Sequence, residues 1–228
     1  VLCNGMDIQS CFKKANEIDD YIDAHFDYAF DEKYGYKTTF PTNTGTGMKA
    51  GYTLHLPSLS DARRLNDISA ELGRFGLKFR TVYGDGQNGY GNLYQISTQK
   101  TLGQDEHEVI KDLDDIVLQI VNQEKEQREH FYKKDKIQMD DEIYKSYGVL
   151  KYARKLSLKD SMVLISELMT GISLGVLQFA HNGRYNINEL IMDIQPAVLR
   201  QNSGKAMSVA ETDVLRAEYI RKYLPEII

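Results

Sequence analysis

The sequence predicts a mixed fold in two parts: an α/β layer over about the first 133 residues, then an all-helical region reaching Ile228. Three observations predict it. Residues 48–56, 77–83 and 92–97 alternate apolar and polar side chains as half-buried strands do. Residues 7–30 and 105–132 carry apolar side chains at helical spacing. After the charge run Lys133-Lys134-Asp135-Lys136 the strand-like alternation stops.

In chain order, residues 7–30 form a helix whose stripe is Ile8, Cys11, Phe12, Ala15, Ile18, Tyr21, Ile22, His25, Phe26 and Ala29, and Gly35 ends the segment. The strand at 48–56 follows. Ser60 then serves as N-cap of a helix running through Phe75, with Gly76 as its stop. Strands at 77–83 and 92–97 are joined by residues 84–91, a segment too long for a tight hairpin and read as a mobile loop. The helix at 105–132 presents Val109, Ile110, Leu113, Ile116, Val117, Ile120 and Val121 as its apolar stripe. Beyond Asp140 the chain reads as several short helices separated by Gly148, Gly171, Gly175, Gly183 and Pro196. The boundary between the two parts falls near 128–138, and no repeat period is evident.

Composition narrows the function classes. A chain of 228 residues, 42% hydrophobic and 27% charged, has material for one substantial core and a smaller second one. A net charge of −5 without clustered Lys and Arg argues against a nucleic-acid surface and is compatible with cationic ligands. Cys3 and Cys11 are too few for a disulfide framework and lack a metal-ligand partner, so both are read as free thiols. His107, His130 and His181 share no metal-ligand spacing, and no metal site is assigned. The opening residues are expected to carry no secretory signal. The longest apolar stretch, 162–180, is interrupted by Glu167, Thr170, Gln178 and two glycines, which suits a buried amphipathic helix and its exit turn better than a membrane span. The expectation is a soluble, cytoplasmic protein without direct nucleic-acid or membrane partners.

The most informative run is Pro41-Thr42-Asn43-Thr44-Gly45-Thr46-Gly47-Met48-Lys49-Ala50-Gly51-Tyr52-Thr53-Leu54-His55-Leu56-Pro57, a glycine-threonine turn feeding an alternating strand that starts with a cation. Glycine lets backbone approach a ligand closely, successive N–H groups form an anion-binding concavity, and Lys49 adds positive charge. Phe79-Arg80-Thr81-Val82-Tyr83-Gly84-Asp85-Gly86 repeats the theme in reverse order. Each element taken alone also reads as an ordinary hairpin turn.

Together these strings resemble the CPTNxGTGxRA segment and the second nucleotide-arginine segment of the ATP:guanido phosphotransferases (phosphagen kinases). Within that family the wording is similar to the bacterial protein arginine kinases, through Thr81-Val82-Tyr83-Gly84-Asp85-Gly86, through Gln95-Ile96-Ser97 with Thr101-Leu102-Gly103, and through Tyr144-Lys145-Ser146-Tyr147-Gly148-Val149-Leu150 in the tail. The resemblance runs from about Gly5 to the C-terminus. It implies an α+β fold: an antiparallel sheet flanked by helices, the catalytic lobe, over residues 1–133, then an all-helical dimerisation and substrate-docking domain over 134–228.

The resemblance also implies site residues. Lys49, Ala50, Gly51, Tyr52 and Thr53 form one ATP-binding segment, and Arg80, Thr81, Val82, Tyr83, Gly84 and Asp85 the other, with Arg80 against phosphate oxygens bridged by Mg2+. On its residues alone, Arg80 equally reads as a strand-end arginine in water. Asn43 and Asp85 are the catalytic candidates: Asn43 to position a substrate-facing carboxylate, Asp85 to pair with the cationic substrate. Asn43 also suits an Asx-turn, and both roles are compatible. Tyr83 and Tyr90 either stack on a ligand or pack beside the glycine loop. In the tail, Thr212, Asp213, Arg216 and Ala217 line up with the family's RDxxRA phosphoarginine-receptor motif, while an ordinary solvated helix with an Asp–Arg pair remains the plain alternative.

Several positions depart from the family pattern. Phe40 stands where the family has a reactive cysteine, Lys49 where it has arginine, Asp85 where its arginine kinases have glutamate, and Thr212 where the receptor has its first arginine. The family's acidic NEEDHxRIQ segment has no counterpart. Residues 1–4 read as the strand entering it, yet Asn4 is followed at once by Gly5-Met6-Asp7, so the expectation is a segment missing between Asn4 and Gly5, with deletion as the alternative. The N-terminal lobe with its SSRxRxxR arginines is likewise absent from the sequence.

The resemblance therefore implies a kinase that transfers the ATP γ-phosphoryl group to arginine side chains of proteins, marking them for Clp-type proteolysis in the stress response. Its implied partners are protein substrates bearing arginine, a zinc-containing activator protein, a Clp ATPase and a second copy in a homodimer. Two other readings stay open: a catalytically inactive arginine- or phosphoarginine-binding and oligomerisation module, motivated by Phe40, Lys49 and Thr212, and a metabolic phosphagen kinase, against which the helical tail argues.

Overall fold

A computed structural model describes residues 1–85, 89–99, 101–103, 105–179 and 187–228. The glycines at 86 and 183 and the histidine at 181, each given a role or excluded from one on sequence, lie outside the described residues.

Residues 1–7 form no strand; Leu2 is 95% exposed, and a bend through Asn4, Gly5 and Met6 leads into helix α1 (Ile8–Asp23). Asp7 caps α1 by accepting a hydrogen bond from the Ser10 amide at 3.2 Å. The helix ends a full two turns before residue 30. His25 Nδ1 donates to the Tyr21 carbonyl at 2.7 Å and closes the last turn. Only Ile8 of the expected stripe is buried, and Ile18, Tyr21 and Phe26 are exposed. Gly35 does not end the helix. It sits in a small hairpin, β1 (Phe30–Asp31) against β2 (Gly35–Tyr36).

Strand β3 (Gly51–His55) is followed by two helices where one was expected. Pro57 opens α2 (Pro57–Asp61), so Ser60 lies inside a helix and caps nothing. Glu124, 2% exposed, accepts from the Ser58 and Leu59 amides at 3.1 and 2.9 Å and serves as the cap instead. Arg63 at φ 57 breaks the chain before α3 (Leu65–Arg74), and Gly76 at φ 72 ends it as predicted. Strands β4 (Leu77–Thr81) and β5 (Leu93–Thr98) complete an antiparallel sheet of order β3-β5-β4. Helix α4 (Glu106–Lys134) follows.

The remaining elements are helical: α5 (Lys136–Tyr152), α6 (Leu158–Leu174), α7 (Ile187–Asp193), α8 (Pro196–Ser203) and α9 (Val209–Tyr223). Gly148 and Gly171 are not separators; they lie within α5 and α6. A Cβ at Gly171 would stand 2.6 Å from Ile143 Cγ2, so glycine there permits close helix contact. Gly175, left-handed, and Pro196 do mark helix ends.

The chain divides into two compact units, Val1–Val82 with Leu93–Glu126 and Tyr83–Asn92 with Gln127–Ile228. In the first, Tyr52, Leu54, Tyr94, Ile96 and Leu77 from one sheet face pack with Ile68, Leu72, Ile110, Leu113 and Val117 from the helices. In the second, the last residues are tied down. Tyr147 donates to the Pro225 carbonyl at 3.0 Å, Lys151 pairs with Glu226 at 2.5 Å, and the Ile228 amide donates to the Gln178 carbonyl at 2.9 Å. Among the described residues no helix is long and apolar enough to cross a membrane.

Candidate functional site

Strand alternation sorts the predicted nucleotide segments onto two faces. Tyr52 and Leu54 of β3, Tyr94 and Ile96 of β5 and Leu77 of β4 belong to the packed core, and Ala50, just before β3, and Phe79 of β4 pack against it half-buried. The opposite face carries Gly51, Thr53, Gln95, Ser97, Lys78 and Arg80, with Lys49 leading into β3 at the same parity. Register aligns these residues in rows across the three strands: Gly51, Ser97 and Lys78 in one, Thr53, Gln95 and Arg80 in the next. The face holds three cations and, among the described residues of these strands, no carboxylate.

Of the predicted cofactor residues, then, Lys49, Gly51, Thr53 and Arg80 share the open face, and Val82 continues it. Ala50 and Tyr52 turn away into the core, which corrects their side-chain assignment to ATP. The Tyr52 hydroxyl donates to Asp114 at 2.6 Å, and burial, then that bond, drives its pKa far above the ordinary phenol range. Gly51 has a steric reason: a Cβ there would stand 2.7 Å from the Ile96 carbonyl oxygen.

Arg80 is exposed near the end of β4, and its Nε donates to Gln95 Oε1 at 2.7 Å across the sheet. Beyond Val82, Tyr83 stacks on Tyr90 with centroids 6.2 Å apart, and the Tyr90 amide donates to the Tyr83 carbonyl at 3.2 Å. Burial raises the Tyr83 hydroxyl pKa. The two rings are packed on each other. Gly84 at φ 94 turns the chain, and Asp85 is exposed.

The glycine-threonine turn begins with a single 3-10 turn at Pro41–Asn43. Asn43 Oδ1 accepts from the Thr42 hydroxyl at 3.4 Å, a bond within the turn. The turn is stapled from a distance by Thr101, whose hydroxyl donates to the Thr44 carbonyl at 2.8 Å and the Thr42 carbonyl at 3.2 Å, while the Thr46 amide donates to the Thr101 carbonyl at 3.1 Å. Gly45 at φ 119 is forced, because a Cβ would stand 2.2 Å from the Thr101 carbonyl oxygen. A cleft of about 240 Å³ lined by Tyr36, Gly45, Thr46, Thr101 and Leu102 lies alongside. Phe40, just ahead of the turn, is 67% exposed.

In the second unit the receptor-like residues form an internal lock. Arg216 is 1% exposed; its Nη1 donates to Asp213 Oδ1 at 2.6 Å and to the Leu156 carbonyl at 2.9 Å, and its Nε to the Ile194 carbonyl at 3.0 Å. Thr212, 1% exposed, donates back to the Ser208 carbonyl at 2.8 Å, and Ala217 is fully buried. Neither the solvated-helix alternative nor an open receptor describes this geometry, because the guanidinium is already engaged by its own chain.

Sequence reasoning missed Gln95, Thr101 and Lys78. Gln95 and Thr101 lay in strings quoted only for resemblance, and the cross-strand row that gives Gln95 its partner is legible only once the register is known. Lys78 was visible in principle, two residues before Arg80 on an alternating strand.

Two family models match the chain, one in each part. Residues 1–127 match the family model for the ATP:guanido phosphotransferase C-terminal catalytic domain, and residues 136–227 match that for the protein-arginine kinase McsB C-terminal domain. The chain is 39% identical over 220 residues to a protein-arginine kinase of Bacillus licheniformis, covering 96% of this chain and 60% of that protein. It is 39% identical over 223 residues to one of Clostridium kluyveri, covering 98% and 64%. A solved structure of substrate-free duplicated taurocyamine kinase from Schistosoma mansoni aligns with a TM-score of 0.41 and 30% identity, over 50% of this chain and 14% of that one. The chain thus spans about 60% of the length of curated relatives it matches. With its first 127 residues matched by that catalytic-domain model, the chain belongs to the ATP:guanido phosphotransferase family.

Proposed function

We propose that this chain is the nucleotide-gripping part of a protein arginine kinase, which transfers the γ-phosphoryl group of ATP to arginine side chains of proteins. The observation that carries the reading is the open sheet face, where Lys49, Lys78 and Arg80 stand with no carboxylate among the described residues of the strands, in a chain of net charge −5. Phosphoryl transfer needs little covalent chemistry from the protein and much charge neutralisation around the phosphates. Arg80 suits an equatorial phosphate oxygen through its planar fork, and the two lysines act as point charges. Among the described residues no cluster of three or more metal-ligating side chains exists. Mg2+ enters with the nucleotide, bridging its phosphates as in phosphoryl transfer generally.

The acceptor nitrogen has a pKa above about 12, so a carboxylate must orient and finally deprotonate it. The residues 1–7 supply no acidic pair, and Asp85 is the exposed acid in the second segment. Asn43 is held by its own turn and shapes the loop. The role in marking proteins for a Clp-type protease under stress, the zinc-containing activator, the Clp ATPase, the homodimer and the cytoplasmic location follow from family likeness and belong to the proposal.

Titration of MgATP into the 228-residue chain tests the reading. Dissociation constants between about 1 μM and 1 mM are expected, and Arg80→Ala should weaken binding at least tenfold. Absence of magnesium-dependent binding by the unmodified chain overturns it. A second reading, an arginine-binding module without transfer, is favoured by Phe40 and the missing acidic pair. Acid-labile phosphate on arginine of an added basic protein separates the two.

A further inference from the structure

The structure assigns Gln95 as the positioning residue for Arg80, a role that rests on the nucleotide reading above and names the residue which makes that site stiff. Arg80 and Gln95 are direct cross-strand partners of β4 and β5, and Nε of the one donates to Oε1 of the other at 2.7 Å. A free arginine on a strand surface samples many rotamers and loses that freedom when it grips a ligand. Here the loss is taken on folding. With Nε–H committed to Gln95, the two Nη groups remain as the fork offered outward, which is the geometry that meets two oxygens of one phosphate.

The chemical type of the partner matters as much as its position. An amide oxygen accepts the Nε–H without cancelling the positive charge. A carboxylate in the same place would bind Arg80 more strongly, neutralise it and repel the incoming phosphate. Gln95 is half-buried on the central strand, flanked by buried Tyr94 and Ile96, so its own side chain is anchored. The row ends at Thr53, opposite Gln95 on β3, which leaves the whole row free of acid.

The test is a double-substitution cycle on the 228-residue chain, read as MgATP and MgADP dissociation constants by calorimetry. Gln95→Ala should weaken MgATP binding about 5–10-fold, and Arg80→Ala more. In the Arg80→Ala background, Gln95→Ala should add less than about twofold, because the group it positions is gone. Gln95→Glu, isosteric and so the variant least prone to misfold, should weaken binding at least as much as Gln95→Ala while keeping the melting temperature. A purely structural role would not produce that order. Additive penalties in the cycle, or a Gln95→Glu chain that binds more tightly than Gln95→Ala, overturn the assignment and leave the nucleotide reading intact. No binding by the unmodified chain overturns both.

Discussion

Arg80 and Arg216 carry the same guanidinium into opposite surroundings. Arg80 makes one neutral hydrogen bond and keeps its charge at the surface. Arg216 is enclosed by the Leu156 and Ile194 carbonyls and by Asp213, so its charge is spent inside the second unit. Removing one partner of a buried pair leaves the other charge unpaired, which costs roughly 3–5 kcal/mol. Arg216→Ala should therefore lower unfolding stability by about that amount, measured by urea titration. MgATP affinity of the folded fraction should not change. A stable Arg216→Ala chain that instead lost arginine or phosphoarginine binding would show that the lock opens to ligand. Thr212 belongs to the same argument. It is enclosed and bonded to Ser208, so the family's arginine at this place would need room that the position does not have.

At the scale of elements, two helix ends share the acid sensitivity with Asp31, whose pKa is lowered first by the Lys33 amide, and Glu226, whose pKa is lowered first by Lys151. Asp7 caps α1, and its pKa is lowered by the Ser10 side chain and amide. Glu211 closes the capping box of α9, and the Ser208 hydroxyl and amide lower its pKa too. A carboxylate whose folded pKa lies below its unfolded value adds stability that is complete above the unfolded value, about 4, and is lost as pH falls through the folded one. The urea midpoint should thus decline below about pH 4. Asp7→Asn with Glu211→Gln should flatten that decline while changing little at pH 7, since Asn caps nearly as well as Asp. An acid slope identical in both chains would show that other carboxylates carry it. The same helix ends explain how much could be read in advance. The sheet strands, α3's glycine stop and α4 were legible because period and punctuation are local. The early end of α1 was not, because the apolar spacing continues through Phe26 while His25 closes the helix. The cap of α2 was hidden as well, since Glu124 reaches it from 66 positions away. Gly148 and Gly171 misled for a related reason: a glycine that lets α5 and α6 approach reads, in one dimension, as a break. For the site, the cations at Lys49 and Arg80 were legible, and the registry that unites them with Gln95 was not.

Over the whole molecule the charge runs against the proposed ligand. At −5 net, the chain repels a polyanion at a distance, and only a local arrangement can hold one. At about 0.1 M salt the Debye length is about 10 Å, so the long-range repulsion is damped while contacts at the face, closer than that, persist. Ligand-induced protection should accordingly be confined in sequence. Hydrogen exchange at a hundredfold excess of MgATP over its dissociation constant should stabilise the binding conformation by about 2.7 kcal/mol. The protected amides should lie in β3, β4 and β5, around Lys49 to Thr53, Lys78 to Arg80 and Gln95 to Ser97. Helix α9, whose Thr212, Asp213 and Arg216 are engaged internally, should be unaffected. Lys78→Glu places an acid on a sheet face that carries none among the described strand residues, and should remove most of that protection at equal nucleotide concentration. Protection centred on α9, or protection indifferent to Lys78→Glu, would move the nucleotide off the sheet and leave the cationic face without its proposed purpose.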